Sequence, residues 1–199
     1  MRALVNGFEP FGPFATNPSA QVAEALACED VVSVVLPVVF DGLAERITSL
    51  IEEHRPDIVL SLGLAAGQQH LDVERVGINL VDARLPDNAG EAPVDAAIVE
   101  GAPAAYFSTL PVKAMAEAMR ATGVQVALST SAGTYGCNLA LYAALEFASR
   151  MPERTRPRCG FIHLPTTDDV SLDAQITAVR AALAAADDEE QHYAAGTLN

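Results

Sequence analysis

The chain of 199 residues has few cysteines, few basic side chains and no long apolar run. Its three cysteines, Cys28, Cys137 and Cys159, show neither a CxxC motif nor the spacing of a zinc site, so we expect a reducing compartment and no metal. No apolar run approaches the ~18–20 residues that span a bilayer. The amino-terminal segment MRALVNGFEPFG lacks the pattern of a signal peptide. These absences predict a soluble cytoplasmic protein.

Basic residues are outnumbered, with 12 Lys and Arg against 26 Asp and Glu and a formal net charge of −14. Nucleic acids and anionic membranes are bound through clustered basic side chains, so this balance argues against both partners. Hydrophobic residues form 50% of the chain, enough for one core and a weak hint of an oligomer. We expect one catalytic α/β domain over residues 1–186 and an acidic, frayed tail over residues 187–199.

Patterns typical of strands alternate with patterns typical of helices along the chain. Strands are predicted at 2–8, 31–39, 57–64, 71–81, 124–133 and 159–164, and helices at 17–27, 41–54, 112–123, 138–150 and 171–186. This order predicts a three-layer α/β/α sandwich around a mostly parallel (mixed) twisted sheet. We interpret 31–39 as a strand covered on both faces. Sites in such folds lie beyond the carboxyl ends of strands, and the polar segment 82–95 is long enough to be functional.

Cys137 stands where the glycine-rich turn of SAGTYGCNLALY gives way to a helical pattern. At a helix start, unpaired N–H groups and the helix dipole stabilise a thiolate, and the same groups can hold an oxyanion. A buried, inert cysteine is the alternative, and position alone does not decide between the two. Cys28 and Cys159 lack this setting, and we interpret both as packing residues.

A cysteine nucleophile needs a base and a group that orients the base. Of the four histidines, His163 alone ends an apolar strand, in GFIHLP. A structural histidine is the plainer interpretation, but its position at the expected active edge of the sheet makes His163 the best candidate for the base.

The orienting acid is left open by the residues themselves. Glu74 interrupts the alternating segment HLDVERVGIN, which is also what a solvent-facing residue paired with Arg75 would do. Asp72, Asp82 and Asp87 are rivals. The pattern therefore predicts a Cys/His hydrolase without assigning the acid.

Four segments, GFEPFGPFATNPS, VERVGINLVDARLPDNAG, SAGTYGCN and GFIHLP, resemble the pyroglutamyl peptidase I (pyrrolidone carboxyl peptidase) family of cysteine peptidases. They run from the first strand to the last, so the resemblance covers nearly the whole chain. It implies an α/β/α sandwich, commonly a homotetramer, that removes N-terminal pyroglutamate from peptides without a cofactor. It also implies Cys137 as the nucleophile, His163 as the general acid–base and Glu74 as the orienting acid.

The resemblance further implies the residues that meet the substrate. Phe8 and Phe11 match aromatic residues of the lactam pocket, and Arg84 matches an arginine near the substrate. Pyroglutamate is an uncharged lactam, so an apolar slot with a few hydrogen bonds suits it. Burying the free ammonium of an ordinary N-terminus in such a slot, without a charged partner, would cost roughly several kcal/mol of binding free energy.

Several positions depart from the family. Pro13 stands where many members have a second glycine, and Gln68 stands where an arginine is frequent. Gly136 replaces a frequent valine beside the nucleophile, and we expect the loss of a pocket-lining side chain to loosen specificity. Two alternatives stay open: another cysteine amidase or glutaminase on a similar sandwich, and a non-catalytic oligomeric binder of pyroglutamyl peptides.

Overall fold

The structure is a computed structural model that describes residues 1–196. The eight strands are β1 Ala3–Phe8, β2 Val31–Leu36, β3 Ile58–Leu64, β4 Leu71–Glu74, β5 Val76–Ile78, β6 Ala105–Phe107, β7 Val126–Ser129 and β8 Arg158–Leu164. The five α-helices are α1 Pro18–Leu26, α2 Leu43–His54, α3 Val112–Arg120, α4 Gly136–Arg150 and α5 Leu172–Ala184. Within residues 1–196 no helix is long and apolar enough to cross a membrane.

Six strands form the central sheet, in the order β2-β1-β3-β8-β4-β7. All neighbours are parallel except β4 and β8, so β4 and β7 run opposite to the other four strands. Helices α1, α3 and α5 pack on one face, and α2 and α4 pack on the other. The predicted α/β/α sandwich around a mixed, mostly parallel sheet is confirmed.

The first helix begins where its capping residues predict. Asn17 accepts a hydrogen bond from the backbone N–H of Ser19 at 3.0 Å, and Pro18 occupies the first helical turn. The Asn17 side chain also donates to the carbonyl of Glu9 at 3.1 Å. These contacts fix the loop that leaves β1, which carries Phe11, against the start of α1.

Two details of the sheet differ from the prediction, and a third, the direction of β7, was not predicted. Strand β2 lies at the edge and is half exposed, so the prediction of two covered faces is wrong. The predicted strand 71–81 divides after Glu74, because β5 leaves the main sheet and pairs with β6. The carboxyl end of β7 lies level with Phe161, since β7 runs against β8. An apolar pattern gives neither the order nor the direction of the strands in a sheet.

The acidic tail contacts α3. Glu190 Oε1 accepts hydrogen bonds from the backbone N–H groups of Lys113 and Ala114, at 3.0 and 3.2 Å. Helix α3 has no capping side chain of its own, so this carboxylate satisfies two of its unpaired donors. The fraying expected for residues 187–199 stays a prediction, and residues 197–199 lie outside the described part of the chain.

Candidate active site

Cys137 is the second residue of α4, and its side chain is half buried. The helix begins two residues before the predicted start, with Tyr135 as N-cap and no capping hydrogen bond from its side chain. The first N–H groups of a helix have no partner within it. The start of α4 therefore presents uncapped backbone donors next to the thiol, which is the arrangement that an oxyanion needs.

Gly63 of β3 makes room for the thiol. A Cβ atom at position 63 would lie 2.6 Å from Cys137 Sγ, so the sulfur rests against the bare backbone of the strand. Gly63 pairs with His163 in the register of β3 and β8. The sulfur and the imidazole are thus side by side on the same face of the sheet.

His163 is held by Glu74. Its Nδ1 lies 2.8 Å from Glu74 Oε1, and both side chains are buried. Burial alone would lower the pKa of His163, but the negative charges of Cys137 and Glu74 outweigh it and raise that pKa to about 10. The site therefore favours an imidazolium next to the sulfur. The second oxygen of Glu74, Oε2, is buried without a hydrogen-bond partner among residues 1–196.

Asn138 fixes the start of α4 to the end of β5 and to the segment that follows it. Its side chain accepts from the N–H of Ile78 and donates to the carbonyls of Ile78 and Leu80, each at 2.9 Å. Asn138 is fully buried. The residue after the nucleophile therefore couples the helix start to the loop that carries Arg84.

Two adjoining cavities open at Cys137. A narrow slot of about 10 Å³ has no Asp, Glu, Lys, Arg or His among its lining residues, which are Phe8, Phe11, Asn17, Val38, Leu64, Tyr135, Gly136 and Cys137. A wider groove of about 470 Å³ is lined by Phe11, Leu64, Asp82, Arg84, Leu85, Ala132, Thr134, Tyr135, Cys137 and His163. The slot is apolar and the groove carries charges of both signs.

The aromatic residues predicted for the lactam pocket lie in the slot. Phe8 is 3% exposed and belongs to the core beneath it. Phe11 stacks on Tyr135, with ring centroids 5.8 Å apart. Phe14 donates its N–H to the carbonyl of Phe11, so the turn that contains Pro13 closes behind the ring.

Gly136 lines the slot, but the Cβ atom of a larger residue at this position would lie towards helix α2. Apart from its chain neighbours and the backbone of α4, a Cβ at this position would have one atom of residues 1–196 within 4 Å, Leu43 Cδ2 on α2, 3.9 Å away. The position has room for a larger residue, and the first atom of that residue would contact α2. Gln68, the other departure near the site, is exposed in the loop between β3 and β4.

Arg84 is exposed at the rim of the groove, on a loop that is fixed at Asp87. The Asp87 carboxylate accepts from the N–H groups of Phe40, at 2.7 Å, and of Ala89 and Glu91, each at 2.9 Å. Burial would raise the pKa of Asp87, but these N–H groups lower it. The predicted functional loop is therefore braced against the start of α2.

The rival acids occupy other places. Asp82 lies on the groove and Asp87 braces the loop. Asp72 pairs with His163 across β4 and β8, but its carboxylate is 3.2 Å from His70 Nε2. Of the four acids, Glu74 alone is hydrogen bonded to the His163 ring.

Sequence reasoning missed the contributions of Gly63, Asn138 and Tyr135. An isolated glycine in an apolar strand, as in IVLSLGL, indicates that another group lies close to the strand backbone. The role of Gly63 could therefore have been predicted from the sequence. The other two are fixed by distant contacts. The interpretation of Cys28 as a packing residue is wrong, because it is exposed, whereas Cys159 is fully buried as predicted.

Comparison with known proteins gives one consistent family. A family model described as pyroglutamyl peptidase matches residues 1–188. The pyrrolidone-carboxylate peptidase of Thermococcus kodakarensis is 44% identical over 177 residues, which cover 87% of this chain and 85% of that protein. The protein of the same name from Levilactobacillus brevis is 46% identical over 169 residues, covering 83% and 82%.

Solved structures agree with these relatives. Pyroglutamyl peptidase I from Bacillus amyloliquefaciens matches with a TM-score of 0.90 at 34% identity, covering 96% of this chain and 99% of that one. Pyrrolidone carboxyl peptidase from Thermococcus litoralis matches with a TM-score of 0.89 at 34% identity, covering 97% and 99%. The structural similarity covers 96% and 97% of this chain, and the sequence similarity to the relatives above covers 87% and 83%.

Proposed function

The chain belongs to the pyroglutamyl peptidase family, and on that premise we propose that Cys137, His163 and Glu74 carry out its catalysis. It is a cysteine-type hydrolase that cleaves the bond after an N-terminal pyroglutamyl residue of peptides. One arrangement supports these roles most strongly. Cys137 Sγ lies against Gly63, Gly63 pairs with His163 in the sheet, and the His163 ring is hydrogen bonded to Glu74.

In the acylation step, the thiolate of Cys137 attacks the carbonyl carbon that joins pyroglutamate to the next residue. Glu74 accepts from His163 Nδ1, which leaves Nε2 as the nitrogen that exchanges protons at the site. The uncapped N–H groups at the start of α4 stabilise the oxyanion. His163 then gives its proton to the leaving amine as the C–N bond breaks, and a thioester on Cys137 remains.

Deacylation uses the same groups in reverse. Neutral His163 takes a proton from a water molecule, whose oxygen attacks the thioester carbonyl. The C–S bond breaks, pyroglutamate leaves as the free acid, and the Cys137 thiolate is restored beside the imidazolium. No other reactant is needed, and we propose that the reaction requires no cofactor.

The residues that line the slot support selection of the lactam, although the slot must widen to admit the ring, since its volume of about 10 Å³ holds about one water molecule. Phe8 and Phe11 provide apolar surface for the ring, and Gly136 lies at the junction of slot and nucleophile. A glutaminase or a general aminopeptidase would need an acidic group for the substrate ammonium, and no lining residue of the slot has one. The wider groove, with Arg84 at its rim, suits the peptide that follows the pyroglutamyl residue.

We also propose a homotetramer that works in the cytoplasm. Large apolar side chains stand out on the surface, with Val94 72% and Phe107 74% exposed, as expected of a protein that buries them against copies of itself. Light scattering on the purified protein tests the assembly, and a monomer at micromolar concentration would contradict it.

The catalytic roles are tested with a pyroglutamyl-arylamide and the matching glutaminyl-arylamide. We expect cleavage of the first only, a loss of about 10³-fold or more in Cys137→Ser, and a loss of about 10²-fold in Glu74→Gln. Cys28→Ser is the matched control, since Cys28 is exposed and lies outside both cavities. A Cys137→Ser protein with wild-type activity would refute the assignment.

A further inference from the structure

Asp72 is a second carboxylate beside His163, and the mechanism above does not use it. Strands β4 and β8 are antiparallel, and Asp72 stands directly opposite His163. Side chains of such a pair lie on one face of the sheet, with Cβ atoms roughly 4.5–5.5 Å apart. Glu74 is two residues further along the same face. The histidine therefore has carboxylates at two positions, one bonded to its ring and one not.

The Asp72 carboxylate is buried, and the side chain of His70 contacts it. Asp72 is 9% exposed, and His70, in the loop before β4, brings its Nε2 to 3.2 Å from Asp72 Oδ1. Asp72 lines neither the slot nor the groove, so it lies outside the space proposed for the substrate. Its influence on the reaction must pass through His163.

Charges of both signs act on Asp72. The pKa of Asp72 is raised overall, since burial raises it most and the charge of Glu74 adds to that rise, while His70 and His163 lower it. Across the sheet, β7 presents the uncharged Ala127 opposite Asp72. The ionised carboxylate is thus favoured by the same imidazolium that it faces, and the attraction works in both directions.

We propose that the carboxylate of Asp72 stabilises the protonated form of His163 and so extends the activity of the enzyme to higher pH. This role presupposes that His163 is the general acid of the reaction. His70 holds the carboxylate in place, and Asp72 is a positioning residue that acts through the histidine. Glu74 fixes the orientation of the ring, and Asp72 adds a negative charge to those of Cys137 and Glu74 without bonding to the ring.

Asp72→Asn tests this, because it removes the charge and keeps the shape. An opposite charge at this range shifts a titration by about one unit or more, so the alkaline limb of kcat/KM should move down by about one pH unit. On that limb the variant should be about tenfold less active than the wild type, with KM little changed. Histidine ¹⁵N NMR should show the ring of His163, assigned by its loss in His163→Asn, titrating lower by the same amount.

Two further proteins complete the experiment. Asp72→Thr also removes the charge and suits a strand, so it replaces Asp72→Asn if that variant does not fold. Asp57→Asn changes the net charge by the same amount. Asp57 lies just before β3, at the end of that strand far from Gly63, so the pH profile of this variant should match that of the wild type. The proposal is overturned by an unchanged His163 titration, by an unchanged alkaline limb, or by an equal shift in Asp57→Asn. Because the NMR titration needs no turnover, it is independent of the catalytic assignment that Cys137→Ser tests.

Discussion

Replacing Gly63 with alanine would put a methyl group where the sulfur of Cys137 lies. The new Cβ would be 2.6 Å from Cys137 Sγ and 2.7 Å from Phe161 Cζ. Non-bonded carbon contacts are most favourable at about 3.5–4.0 Å, so the sulfur and the ring must each retreat by about 1 Å. A shift of that size in a reacting atom can cost about 10²-fold in rate, and we expect this loss in kcat/KM for Gly63→Ala. Overpacking should also lower the free energy of unfolding by about 1–3 kcal/mol.

Gly160→Ala is the matched control for the cost of overpacking. Its Cβ would lie 2.7 Å from Leu110 Cδ1, and Leu110 belongs to the core on the opposite face of the sheet. We expect a similar loss in urea unfolding and a kcat/KM within a few fold of the wild type. Both proteins are assayed with a pyroglutamyl-arylamide and for the rate of Cys137 alkylation by iodoacetamide. Equal activity of the two variants would show that Cys137 Sγ does not rest on β3.

Two other residues give predictions of a different kind. Because backbone N–H groups lower the pKa of Asp87 below its unfolded value, its contribution is present at neutral pH and lost as pH falls through the folded pKa. Asp87→Ala should therefore lower the free energy of unfolding by about 1–2 kcal/mol near pH 7 and by progressively less as the pH falls below 3.8, the ordinary pKa of the group, and a loss that does not change with pH in urea titrations would contradict this. Burial raises the pKa of Cys159 to about 12, so iodoacetamide at neutral pH should modify Cys137 and spare Cys159 until the protein unfolds. Peptide mass spectrometry checks the order, and equal labelling of the two in the native protein would be inconsistent with it.

The parts of the site that follow from local sequence were predictable. A glycine turn before a helical pattern located Cys137 at a helix start, and an apolar strand stopped by Pro165 located His163 at a strand end. Both features depend on residues within a few positions of the side chain concerned. The structure brings these two residues together, and their catalytic roles stay a proposal.

The parts that depend on strand pairing were not predictable from the residues. Glu74 and its rival Asp72 are two residues apart on one face. The register of β4 against β8 places Asp72 directly opposite His163, yet the carboxylate that reaches the His163 ring is that of Glu74, opposite Phe161. The apolar pattern of β2 resembled that of a central strand, although β2 is an edge strand. A pattern of burial does not contain the order or direction of strands, which long-range pairing determines.

The central claim is that Cys137 forms the covalent intermediate of the reaction. Acid quenching during turnover of a pyroglutamyl-arylamide, followed by peptide mass spectrometry, tests it directly. We predict a pyroglutamyl thioester on the peptide that contains Cys137, and none on Cys28 or Cys159. A pyroglutamyl adduct on another residue, or full turnover by Cys137→Ser, would contradict the account.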